Sequence, residues 1–166
     1  MGLDMYLFSA PKIEGMELRE VLSANARLIK LKEENNETFH KIKAYIKRFE
    51  AHGHKRESLF TEVIYWRKAN HIHNWFVENV QNGFDDNLAL SEVKRNQVEE
   101  LYQSCGAVLE NEEKAMDILP TMPGPFFGSL SYGPLYFEEV KRTFDKLERL
   151  QPAFFNKNYL IYQSSW

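Results

Sequence analysis

The chain has little of several things that usually announce a function. Its single cysteine, Cys105, leaves no partner for an internal disulfide. Lying between Leu101 and Val108 in a helical pattern, it reads as an inert buried thiol and not as a nucleophile. A reducing, cytoplasmic setting is the default expectation for such a chain. No apolar run approaches the about 20 residues of a membrane span, so no membrane partner is expected. Met1–Ala10 has neither the basic start nor the long apolar core of a signal peptide. A Walker loop, a G-x-S-x-G elbow, an H-E-x-x-H pair and a dinucleotide G-x-G-x-x-G are all missing. The net charge of −3 argues against nucleic-acid binding through bulk electrostatics, which needs a basic face. Cofactors are expected to be none.

What the chain does have is aromatic: twelve Phe, eight Tyr and three Trp in 166 residues. That content fits a tightly packed core, an aromatic-lined pocket or an aromatic interface. The length suits one domain spanning 1–166, large enough to bury a real core.

Gly2–Ser9 alternates Leu3, Met5 and Leu7 against Asp4, Tyr6 and Phe8, the pattern of a strand apolar on both faces. Tyr159–Gln163 is a second strong strand at the other end. Neither has a nearby hairpin mate, so the two are expected side by side in one small sheet. Between them helices dominate. One is expected from about Met16 to Glu33 and a second over Glu37–Ala51, with Gly53 beyond its end. Together they predict a helical hairpin at about 12–55, an elaboration on the rest. Further helices are expected at Lys94–Glu110, at Glu112–Leu119 and from Pro134, which suits a helix N1 position, to Leu150. The fold class is α+β, predominantly helical, with a small sheet that includes both terminal strands.

The candidate site starts from Tyr65–Val80, YWRKANHIHNWFVENV, read as a helix capped by Ser58 and ending at Asn82-Gly83. At 100° per residue, Trp66 and His73 fall within its apolar arc and Asn70 at the edge. Arg67, His71 and Asn74 fall on the opposite side. A histidine on a buried face needs partners for its ring nitrogens, and Arg67 with Asn70 offers a guanidinium and an amide to an anionic or planar ligand. His71 and His73 point about 160° apart on such a helix and cannot share a metal ion, so a metal site is expected to be none. Asp85-Asp86 in the following turn adds carboxylates. The loop Pro120–Gly133, PTMPGPFFGSLSYG, adds Phe126 and Phe127 for stacking on a ligand or for plugging the core. Site residues are therefore expected to be Trp66, Arg67, Asn70, His73, Asp85, Asp86, Phe126 and Phe127, around one cleft.

The start MGLDMYL, the block YWRKANHIHNWFVENVQNG with Asp85-Asp86 after it, the segment Leu119–Ser129 and the ending YQSSW resemble a family of small proteins of bacteriophages, prophages and their hosts. The resemblance fades over Lys12–Lys55, and Asn87 stands where that family carries a cysteine. It implies the provenance of a phage or mobile-element accessory protein and no reaction. Two functions are expected: a non-enzymatic protein that binds and inhibits a host or defence protein, from the small size, the missing catalytic signatures and the many aromatics, and a pocket protein that binds or sequesters a small anionic, nucleotide-like ligand, with hydrolysis as an extension, from Arg67, Asn70 and His73 with Trp66 and the loop aromatics. The oligomeric state is left open.

Overall fold

The computed structural model describes residues 2–166. The fold is α+β. Strand β1 (Asp4–Pro11) pairs antiparallel with β4 (Thr61–Arg67) on one side and β6 (Asn158–Ser165) on the other, and β5 (Ser91–Val93) pairs with β6. The four-stranded order is β4-β1-β6-β5, so the two terminal strands are neighbours at its centre, as their apolar patterns predict.

Period-2 alternation divides these central strands between two cores. Leu3, Met5, Leu7, Leu160 and Tyr162 face the larger one. It is closed by α4 (Asn70–Asn79), α5 (Arg95–Glu110) and α7 (Pro134–Glu148). Tyr102 of α5 stacks on Phe144 of α7 with ring centres 4.4 Å apart, and Tyr162 stacks on Phe76 of α4 at 3.9 Å. Ala10 and Ile161 face the smaller core, which is covered by α1 (Leu18–Ala26), α2 (Leu28–Glu34) and α3 (Glu37–Ile42). A short helix, α8 (Pro152–Lys157), leads into β6. Among the described residues, no helix is long and apolar enough to cross a membrane.

Two expectations are corrected. The helix expected over Tyr65–Val80 begins only at Asn70, and Tyr65, Trp66 and Arg67 belong to β4. In TEVIYWR, β-branched and aromatic side chains alternate faces, with Ile64 and Trp66 buried, and pairing with β1 outweighs the helical wheel. Ser58 is consequently no helix cap: its hydroxyl donates to Asn25 Oδ1 at 3.0 Å and accepts from the Phe60 N–H at 2.9 Å.

The helical hairpin expected at 12–55 is also replaced. Helix α3 stops at Ile42, and a separate two-stranded ribbon follows, β2 (Lys47–Ala51) and β3 (His54–Ser58). His52 and Gly53, at φ 51° and 73°, form the two-residue turn with both central residues left-handed that suits the twist of a β-hairpin. Gly53 marks a hairpin tip, not a helix end. The segment is no detachable elaboration either, because Val21, Leu31 and Ile42 build the smaller core with Ile161 of β6.

Candidate functional site

Between β4 and α4 the chain turns through Lys68, whose φ of 59° lies in the left-handed region that a lysine adopts at a cost. The Lys68 N–H donates to the Leu3 carbonyl at 2.8 Å, which anchors the turn to the start of β1. The loop after α6 (Ala115–Ile118) packs onto this turn. Gly128, at φ 98°, comes so close that a Cβ there would stand 3.0 Å from Lys68 Cβ and 3.1 Å from its carbonyl oxygen. Only glycine permits that approach.

Asn70 holds the loop in place. Its amide donates to the carbonyls of Phe127 (3.1 Å) and Ser129 (2.9 Å), and its Oδ1 accepts from the Met122 N–H (3.2 Å). One turn on, Asn74 donates to the Pro120 carbonyl at 3.1 Å. Both asparagines thus supply the hydrogen bonds that an irregular segment cannot find in a ladder.

The docked loop leaves a cleft of about 550 Å³, walled by Arg67 and Lys68 on one side and by Ser129, Ser131 and Leu135 on the other. The N-terminal ends of α4 and α7 both border it, and neither has a side-chain cap. Among the described residues, the N–H groups of Asn70, His71 and Leu135 have no acceptor. Helix starts carry partial positive charge and free donors. His71 lines the same cleft, 4% exposed, with its ring centre 4.2 Å from that of Tyr136. Its Nε2 has no hydrogen-bond partner among the described residues. Burial pulls its pKa down from 6.5 to about 3, so the ring is neutral at pH 7. Two carboxylates also border the cleft. Glu139 is paired with Arg142 at 3.0 Å, and Glu138 lies exposed.

A second polar cluster lies in the interior. His73 is fully buried, with Nδ1 2.7 Å from the Tyr162 hydroxyl and Nε2 3.1 Å from Asp85 Oδ1. The approach of Asp85 lies off the N–H axis, so this contact is electrostatic more than directional. The carboxylate still favours the proton on Nε2, which leaves Nδ1 to accept from the Tyr162 O–H. Burial lowers the His73 pKa, and Asp85 opposes that shift. Trp166 closes over the cluster: its indole N–H donates to Asp85 Oδ1 at 3.1 Å, while its backbone exchanges hydrogen bonds with the Asn87 side chain. Tyr162, His73 and Asp85 have the residue types of a proton relay. Tyr162 and His73 have no exposed surface, however, and burial holds the phenol far above its ordinary pKa. The cluster pins α4, the Asp85 turn and the last strand together.

The eight expected site residues therefore separate. Arg67 alone lines the cleft, from a strand and not from a helix. Asn70 shapes it by spending its polar atoms on the loop. Trp66 is core, its indole N–H donating to Thr143 Oγ1 at 2.8 Å, so it is corrected from ligand contact to packing. His73 and Asp85 belong to the interior cluster, and Asp86 is exposed outside the cleft. Phe127 is buried edge-on against His73 and Trp166, whereas Phe126 is 66% exposed. His71, placed on the solvent side by the helical wheel, is buried because Tyr136 of α7 packs over that side of α4. Lys68, His71, Ser129 and Ser131 went unnoticed as lining residues. Pro134 at N1, a few residues after Gly128-Ser129, is the signal that pointed to a helix start beside the loop. Cys105 is buried as its pattern predicts, and burial pushes its thiol up to about 12. No family model, curated protein or solved structure matches the chain.

Proposed function

We propose that the chain binds a small anionic ligand, of the class of phosphate esters and nucleotides, in the cleft between Arg67–His71 and the start of α7. The observation that carries this reading is His71, buried and unpartnered at Nε2, lining a cleft where two uncapped helix N-termini meet. An orphaned buried nitrogen costs about 1–3 kcal/mol unless something satisfies it, and free N–H groups at helix starts favour anions. Arg67 and Lys68 add two cations at the mouth, and the volume is that of an ordinary small-molecule site. Calorimetric titration with inorganic phosphate, adenosine monophosphate and adenosine triphosphate tests it. Saturable heat with at least one, weakened tenfold or more by Arg67→Ala, supports the reading. Silence with all three at millimolar concentration withdraws it.

A specific observation favours a second reading. Phe126, Leu130 and Leu135 are exposed apolar residues on the loop and the first turn of α7. In this reading the chain is a non-enzymatic accessory protein of a phage or mobile element, and this rim presses on a host or defence protein. Leu135→Asp should then abolish inhibition of that protein while Arg67→Ala leaves it intact. The opposite pattern returns the function to the cleft.

A further inference from the structure

The overall charge of −3 averages two unlike regions. Residues 41–57 hold six Lys and Arg against two acids, which leaves fifteen cations against twenty-two acids in the rest of the chain. The fold gathers those six cations on and beside the β2–β3 ribbon. In its register Lys47 faces Ser58, Phe49 faces Arg56 and Ala51 faces His54, so one face carries cations and an aromatic ring with no acid. On the other face each acid has a cation opposite, Arg48 with Glu57 and Lys55 with Glu50. Glu57 is held twice, by Arg48 at 3.0 Å and by Lys32 of α2 at 2.8 Å.

Two adjoining concavities of about 950 and 400 Å³ share Lys32, Arg48 and Glu57 and run along the ribbon. Lys43, Lys47, Lys55 and Arg56 line one or the other, and Glu50, opposite Lys55, lines the wider one. Ile29 and Phe49 stand in the wider part, 77% and 48% exposed. Five strand residues span about 17 Å, too long for one phosphate and suited to several in a row. Cations spaced along a groove with an exposed aromatic ring are what an unpaired polynucleotide needs, because phosphates follow the charge while every base offers a face for stacking.

We propose that the acid-free face of the β2–β3 ribbon binds single-stranded nucleic acid, with Lys47 and Arg56 engaging phosphates, Lys43 at the end of the ribbon extending the track and Phe49 stacking on a base. This surface is independent of the cleft beside His71, and Arg67→Ala should leave it untouched.

The test is fluorescence anisotropy of the full chain with labelled twelve-nucleotide oligodeoxyuridylate and oligouridylate across a salt series. Saturable binding is expected at low salt, with affinity falling steeply as salt rises, by about 0.7 in logarithmic slope per phosphate contact. Arg56→Gln should reduce that slope by about one contact. Phe49→Ala should weaken binding about tenfold and leave the slope unchanged. Circular dichroism checks that both variants remain folded, and Lys47→Gln repeats the slope test at a second exposed position on the same face. Equal affinity for the two oligomers supports readout of the unpaired strand alone, and a preference between them names the sugar. No binding at low salt overturns the proposal. Phe49→Ala without effect, or equally tight binding of polyglutamate or anionic vesicles, overturns it as well, leaving a charged surface without a nucleic-acid function.

Discussion

His73 Nδ1 and the Tyr162 hydroxyl stand 2.7 Å apart, one on α4 and the other on the last strand, both without exposed surface. The pair joins the central helix to a strand 89 residues away in sequence. Removing either partner leaves the other buried and unpaired. Tyr162→Phe should therefore destabilise the protein by about 1–3 kcal/mol. His73→Ala should cost more, since it also strips Asp85 of its neighbour and opens a cavity. Urea unfolding of the two single variants and the double variant measures the coupling, and strictly additive losses would show the contact to be energetically idle.

Asn70→Ala should loosen the loop 120–133 before it threatens the fold. Three hydrogen bonds to that loop end on this side chain. Amide exchange at Met122 should rise sharply, with protection in α5 and β6 kept. Unaltered exchange at Met122 would mean that Asn74 and the packing of Phe127 hold the loop without Asn70.

Gly128→Ala should be worse than an ordinary surface substitution. It places a side chain at positive φ and presses a Cβ against Lys68 at 3.0–3.1 Å. A loss of roughly 1–3 kcal/mol is expected, together with loss of phosphate or nucleotide binding in the cleft. A thermal melt and the calorimetric titration report the two effects separately, and an unchanged melting temperature would show that the turn can give way.

Acid should destabilise the protein before its carboxylates titrate. Burial depresses His71 to about 3 and lowers His73 as well, so the unfolded chain binds protons that the folded chain refuses. Stability is complete above pH 6.5 and falls as pH drops below it, by about 1.4 kcal/mol per unit for His71. Urea unfolding from pH 7 to 4.5 should show that slope, and His71→Gln should flatten it. A level profile in the parent protein would mean that His71 is already charged and paired when folded.

The deletion of Tyr159–Trp166 should unfold the chain outright. It removes β6, the strand that pairs with both β1 and β5 and contributes to both cores. A truncated protein that keeps a cooperative melt would show β1 and β4 to be sufficient.

How far the sequence could be read depended on whether one periodicity ruled a segment. Leu3, Met5 and Leu7 alternate without a rival pattern, as do the apolar residues of Tyr159–Gln163, and both strands were legible. Helices α5 and α7 were legible for the same reason, with Pro134 marking a start. Tyr65 and Trp66 satisfied a strand and a helical wheel at once, and only pairing with β1 decided between them. The helix starts at Asn70, five residues later than expected, and His71 is buried because Tyr136 of α7 covers the side of α4 that the wheel left to solvent. Gly53 suits a helix exit and a hairpin turn equally, and only the pairing of β2 with β3 decides for the turn. In the site, Arg67 and Asn70 were legible as polar groups beside an apolar block. Lys68 was not, because its role comes from a left-handed turn and from Gly128, 60 residues away in the chain.

The pair β1–β6 forms a wall with a core on each side. Helices α1 to α3 lean on one surface of that wall, and α4, α5 and α7 lean on the other. Melting of either half would strip the other of its backing. Heat should therefore take the protein apart in one step, with the slowest-exchanging amides on β1 and β6. A ligand clamped at Arg67 should protect amides of β4 and of β1, the strand with which β4 pairs.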